Sequence, residues 1–191
     1  LNVAGQIIPN STAYTFAKDE QRLRDFSEIS GECAYVGREG IEFFPQELLL
    51  FTYVKSRQDR KEVILKNKQM NKSKYKVPSQ KVVLETKFLY PLVKGPEIER
   101  FRHNYSGLIT PFPYEKSIPN KPIDINLLEI QSPMLLSYYK KFQPIIEEQT
   151  AFSDKIRGPD AGEFYGLART GPYSFQEVYV AFRDNSKWRA A

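Results

Sequence analysis

The chain has a single cysteine, Cys33, in 191 residues. That count excludes an internal disulfide and a cysteine-built zinc site, and it makes a reducing, cytoplasmic setting the natural expectation. His103 is the only histidine, so multi-histidine metal sites are excluded and any nucleophile–histidine pair depends on that one residue. It stands between Arg102 and Asn104 in a charged turn, a setting for surface or phosphate contact. No run approaches the roughly 18 consecutive apolar residues of a membrane span, and no basic-apolar-small leader opens the chain, so no membrane partner is expected. The phosphate-loop pattern Gly-x-x-x-x-Gly-Lys-Ser/Thr is missing, and so is a dinucleotide fingerprint. Gly158-Pro159-Asp160-Ala161-Gly162 lacks the preceding strand and reads as a surface turn. No catalytic, metal-ligating or cofactor-binding set is assigned within this chain.

What is present in quantity is aromatic and turn-forming. Twelve Tyr and thirteen Phe accompany thirteen Pro against ten Gly, which favours many short elements over a helical bundle. Residues Phe16 to Phe26 carry enough charge for a short exposed helix. Cys33–Arg38 and Ile41–Val54 look like strands, the second interrupted by Pro45. From Val82 to Tyr90 apolar and polar residues alternate, as in one half-buried strand. Gly95-Pro96 opens a helical turn through Arg102, and residues 105–126 read as strand, loop and turn. Ser132-Pro133 then provides an N-cap and a first-turn proline for a long helix, which Pro144 should kink or divide. Glu177–Arg183 reads as a last strand. The expected class is α+β, with twisted, mainly antiparallel sheets, one long helix over about 133–150 and short helical turns.

Charge is the second positive feature. The chain carries +5, but residues 55–76 alone hold nine Lys and Arg against Asp59 and Glu62. That segment is therefore +7 and the rest of the chain −2. Nucleic-acid binding needs such a concentration of cations to displace phosphate counterions, with other side chains to reach base edges. The candidate DNA-binding residues are Lys55, Arg57, Arg60, Lys61, Lys66, Lys68, Lys72, Lys74 and Lys76, joined by Arg38, Lys94, Arg100, Arg102 and Arg169 beside turns and aromatics. A solvated hairpin and structural ion pairs are the plainer readings of the same residues. Two alternatives compete. An RNA-binding module would stack bases on the aromatics. A metal-dependent nuclease would use Glu85-Thr86-Lys87, with both side chains on one strand face and Asp59 as the upstream acid.

The order of segments resembles a known family. Gly37-Arg38-Glu39-Gly40-Ile41-Glu42-Phe43-Phe44-Pro45-Gln46-Glu47-Leu48 resembles the opening of the C-terminal target-recognition domain of adenine-N6 DNA methyltransferases, closest to those of Type IIG restriction-modification enzymes. The run from Phe88 through Tyr90-Pro91, Lys94-Gly95 and Arg102 is similar to a second element of that family. Pro133–Gln149, Phe164–Arg169 and Tyr179–Arg183 are similar to its helix, tyrosine and strand ending. The resemblance implies a lead-in over residues 1–30 and a DNA target-recognition domain over 31–191. It implies duplex DNA as partner, with Arg38 and Lys94 as the most suggestive positions. It further implies that the chain is a fragment of a site-specific adenine methyltransferase. The upstream domain would hold S-adenosylmethionine and the Asn/Asp-Pro-Pro-Tyr/Phe motif, so the fragment itself would be inactive.

Overall fold

The computed structural model describes residues 3–6, 12, 14–31, 37–57, 61–71, 74–75, 77–148, 162–177 and 180–181, with the backbone of 182–183 and 189–190. Two compact units emerge, Leu1–Glu39 and Gly40–Ala191.

In the first unit, β1 (Val3–Gly5) pairs antiparallel with β2 (Thr15–Ala17). Helix α1 (Glu20–Ile29) follows. The expected helix over Phe16–Phe26 is displaced toward the C-terminus because Asp19, extended and accepting a 2.8 Å bond from the Arg22 amide, sets its start. Phe16 lies in β2 instead. Of the expected strand Cys33–Arg38, residues 32–36 lie outside the described set, and Gly37 and Arg38 are irregular.

The second unit holds the sheet. Its elements are α2 (Gln46–Leu49), β3 (Phe51–Arg57), β4 (Glu62–Asn67), β5 (Lys81–Glu85), β6 (Leu89–Pro91), β7 (Ile98–Glu99), β8 (Arg102–His103), β9 (Leu108–Pro111), β10 (Tyr114–Glu115), β11 (Ile118–Pro122), α3 (Ile125–Gln131), α4 (Pro133–Glu147), β12 (Phe182–Arg183) and β13 (Arg189–Ala190). Helices and antiparallel sheets occur together, so the class is α+β. The main sheet has the order β5-β4-β3-β9-β6, antiparallel throughout. Pairs β7–β8, β10–β11 and β12–β13 stand apart from it.

Several expected strands are shorter or broken. Leu48, Leu49, Leu50 and Phe51 are all buried, which a half-exposed strand cannot achieve for consecutive residues. The chain instead makes one helical turn, α2, before entering β3. Val82–Tyr90 is likewise two strands. Thr86 turns the chain by binding the Lys61 carbonyl and accepting from the Leu89 amide, so β5 and β6 lie at opposite edges of the sheet. This connection constrains the sheet's shape. Four residue steps from Glu85 to Leu89 reach at most about 14 Å, whereas the edges of a flat five-stranded sheet stand about 19 Å apart. The sheet therefore curls toward a partial barrel. The helical turn at Gly95 ends at Glu97, and the β7–β8 pair occupies the rest of the expected turn. Of the strand expected over Glu177–Arg183, only Phe182–Arg183 is extended and paired, and residues 178–179 are outside the described set.

α3 and α4 cover the sheet. α4 buries Leu135, Leu136, Tyr138, Tyr139, Phe142 and Ile146 against Phe51, Val63, Leu65 and Leu84. Tyr138 donates to the Leu48 carbonyl at 2.9 Å, while Tyr139 stacks flat on Tyr165 at 5.1 Å. Pro144 does not divide α4. The carbonyl it leaves without a donor belongs to exposed Lys140, where water can satisfy it, and the helix ends three residues later. No described helix is long and apolar enough to cross a membrane.

The N-terminus of α4 is capped from the sheet. Ser132 precedes the helix as expected, but its hydroxyl does not cap it; the hydroxyl donates to Glu85 at 2.9 Å. The two Glu85 oxygens also accept from the amides of Met134 (2.7 Å) and Leu135 (3.1 Å). Substitution Glu85→Ala leaves a buried hydroxyl and two helix-end amides without acceptors. We expect a loss of about 2 kcal/mol in urea denaturation. Burial also raises the phenol pKa of Tyr138, Tyr139 and Tyr165 above the ordinary value, with nearby Glu163 and Asp124 adding to the effect at Tyr165. The neutral forms are thus favoured in the fold, so this stability is fully present below about pH 10 and is lost as pH rises above it. Denaturation midpoints should hold steady to pH 9 and fall beyond pH 10, less steeply for Tyr139→Phe.

Candidate nucleic-acid interface

The hairpin formed by β3 and β4 carries the basic segment. β3 pairs with β4 along its whole length, with a register shift between Tyr53 and Lys55. On its other side it meets β9 only at Phe51 and Thr52. From Tyr53 to Arg57 that edge is therefore unpaired, and every residue on it is exposed. Unpaired edges invite association with other strands, and lysine or arginine on them, with a bulge, blunts that tendency. Lys55, Arg57 and the bulge meet this structural need. Tyr53 is 53% exposed, its hydroxyl 3.0 Å from that of Ser56.

The cations divide into two groups by what they touch. Lys55 and Arg57 on β3, Lys61 at the start of the return strand and Lys66 on β4 are exposed. None of them makes an ion pair among the described residues. Lys81 on β5 joins them: it lies directly opposite Lys66, with Thr52 on Lys66's other side. Lys81 falls just beyond the basic run, so charge counting missed it. Its link to Lys66 is a matter of strand register alone. Like charges directly opposite on adjacent strands repel.

Several of the other candidates have partners of their own. Arg102 grips Glu99 at 2.6 Å, Arg169 meets Glu42 at 3.1 Å, and Lys74 reaches Glu148 at 3.5 Å. Arg100 lies over the ring of Phe101, which is 82% exposed. Lys68 is half-buried. Lys94 donates to Gln46 Oε1 at 2.7 Å and so ties the turn before β7 to α2. Burial, with Lys68 nearby, lowers its ammonium pKa, and Glu97 opposes the shift. Arg38 is exposed in the N-terminal unit. Arg60, Lys72 and Lys76 lie outside the described residues, as does Asp59. His103 is exposed on β8.

The nuclease alternative fails at Glu85. Its carboxylate is occupied by the α4 terminus, while Lys87 sits in the turn with its ammonium 5.5 Å from the Phe88 ring centre. The two side chains do not share a strand face, because β5 ends at Glu85. Comparison with family models, curated proteins and solved structures found no match.

One buried side chain positions the base of the hairpin. Asn67, 2% exposed, donates from Nδ2 to the carbonyls of Glu47 and Pro78, both at 3.1 Å. Its Oδ1 accepts from the Gln80 amide at 2.7 Å. It thereby joins α2, β4 and the segment leading into β5. The like-charge register of Lys66 and Lys81 beside it has a direct test. Lys81→Glu replaces a like-charge pair with an opposite one and should stabilise the free protein by up to about 1 kcal/mol at low salt, with the gain shrinking as salt is added.

Proposed function

We propose that the chain is a DNA-binding module that engages duplex DNA through the β3–β4 hairpin. The observation that carries this reading is the cluster of exposed cations that make no ion pair among the described residues: Lys55, Arg57, Lys61 and Lys66 on the β3–β4 hairpin, with Lys81 on β5 beside them. Arg102, Arg169 and Lys74 pair with acids, whereas the clustered cations make no ion pair among the described residues; Arg57 stands opposite Glu62, but Lys66 and Lys81 face one another at a cost in mutual repulsion. A polyanion relieves that cost. Phosphates along a DNA groove accept lysine and arginine, and the unpaired β3 edge from Tyr53 to Arg57 is the part of the sheet open to approach one. Tyr53 and Arg57 on the exposed strand are the side chains placed to reach base edges.

The ordered resemblance described above supports, for this module, the target-recognition role of an adenine-N6 DNA methyltransferase. In that setting an upstream domain of a cytoplasmic parent enzyme would bind S-adenosylmethionine and carry out methyl transfer. This chain would choose the site.

Fluorescence anisotropy with labelled duplex libraries tests the reading. We expect binding at low salt, with the logarithm of affinity falling linearly with that of salt concentration. Lys55→Ala and Lys66→Ala should each reduce the slope by about one. No response to any duplex at low salt refutes the proposal, and so does single-stranded RNA displacing the duplex at equal length.

A further inference from the structure

Between β6 and β9 the chain leaves the main sheet and returns by way of the β7–β8 hairpin. Register fixes where it exits and re-enters: Pro91 and Phe51 both pair with Ile109, and Leu108 pairs with Thr52. β6 therefore runs out of the sheet, and β9 into it, at the end toward which β3 continues past Thr52. Gly107, at φ 81 in the left-handed region, turns the incoming chain there. The Tyr105 hydroxyl holds this turn by donating to the Leu108 carbonyl at 2.7 Å. The β7–β8 hairpin and the basic edge of β3 thus leave the sheet at the same end.

The tip of that hairpin is destabilising in two ways. Glu99 pairs with Arg102, so Arg100 and Phe101 form a two-residue turn. Phe101 has φ 63, the left-handed region that glycine or asparagine usually occupies and where a bulky residue is strained. It is also 82% exposed, so its ring faces water and adds nothing to the core. The turn is nevertheless held firmly. Glu99 accepts from Arg102 Nε at 2.7 Å and from Asn104 Nδ2 at 2.8 Å, and the Asn104 amide donates to the Glu97 carbonyl at 2.8 Å. Arg100 makes no ion pair among the described residues, and its guanidinium lies 5.1 Å from the Phe101 ring centre. A rigid, exposed aromatic beside such a cation suits a stack of bases edged by phosphate, where the ring enters the stack and the guanidinium meets the backbone. A lipid surface would need more than one apolar side chain on a tip where Arg100, Arg102, His103 and Asn104 are all exposed.

We propose that Phe101 is a wedge that enters the base stack of duplex DNA, while Arg100 moves from the ring to a neighbouring phosphate. The cations of the β3 edge hold the backbone alongside. This inference rests on duplex DNA being the partner, and two measurements on the intact chain separate the two. Fluorescence anisotropy gives affinity and its salt dependence. Relaxation of closed-circular plasmid by topoisomerase I in the presence of the protein reads insertion, because a wedge that unstacks a base step untwists it and leaves a lower linking number after the protein is removed. The wild type should shift the topoisomers. Phe101→Ala should bind at least about fivefold more weakly with an unchanged salt slope, and should leave the topoisomers unshifted. Phe101→Leu, still an apolar wedge, should restore most of the shift, and Arg100→Ala should lower the salt slope by about one. The DNA-free Phe101→Gly variant should melt no lower than the wild type, because the ring packs in no core and its backbone conformation suits glycine. Wild-type duplex binding with equal affinity and equal topoisomers in Phe101→Ala would overturn the wedge and leave the duplex reading standing. A lowered melting temperature in Phe101→Gly would make the ring structural and would overturn it too. A wild type that binds no duplex at low salt removes both.

Discussion

The carboxylate of Glu85 joins the two layers of the larger unit. It sits at the end of β5, on one edge of the sheet, and accepts from a hydroxyl and two amides at the start of α4. Helix N-termini leave amides without intrahelical partners and carry partial positive charge. A short polar residue just before the helix usually answers this. Here an acid from 47 to 50 residues upstream does, which fixes where α4 lies on the sheet and so which side chains its apolar stripe meets. Tyr138 against Phe51 and Tyr139 against Tyr165 depend on that placement. The same arrangement answers an electrostatic problem within the sheet. Glu85 lies directly opposite Glu62, which is buried; the helix end meets the charge of Glu85, and Arg57 stands opposite Glu62 on β3.

With the sheet so held, the hairpin becomes a rigid support for charge. β4 is flanked on both sides by strands and is mostly buried, whereas β3 loses its second neighbour after Thr52. Asn67 anchors the far end with three hydrogen bonds, each worth about 1 kcal/mol when satisfied and more when one partner is removed. The outcome is a well-supported hairpin with an unpaired β3 edge and exposed cations that make no ion pair among the described residues. Those are properties of an interface, and they are sustained by burial elsewhere: a single large apolar side chain contributes about 2 kcal/mol, more than a surface charge repulsion removes.

Much of this was legible from the residues. The concentration of cations in 55–76, the α+β balance, the Ser132-Pro133 helix start and the apolar stripe of α4 all follow from composition and period. The errors share a physical origin. Val82–Tyr90 alternates faultlessly, yet Thr86 finds the Lys61 carbonyl across the sheet and turns the chain. Ile41–Val54 has strand composition, yet four consecutive buried residues need a helical turn among them. In both cases a contact distant in sequence overrode a local preference.

The amino-acid order by itself determined which segments are amphipathic, where positive charge accumulates and what chemistry is missing from a chain with one cysteine and one histidine. Only the tertiary structure decided what each charged side chain does. Glu85 matched a nuclease pattern and proved to be a helix cap. Lys94 and Arg102 resembled contact residues and hold turns in place, while Lys81 lay outside the basic run and belongs with it. The reason is that charge counting is local, whereas pairing depends on which groups come within about 4 Å once strands have registered and helices have docked.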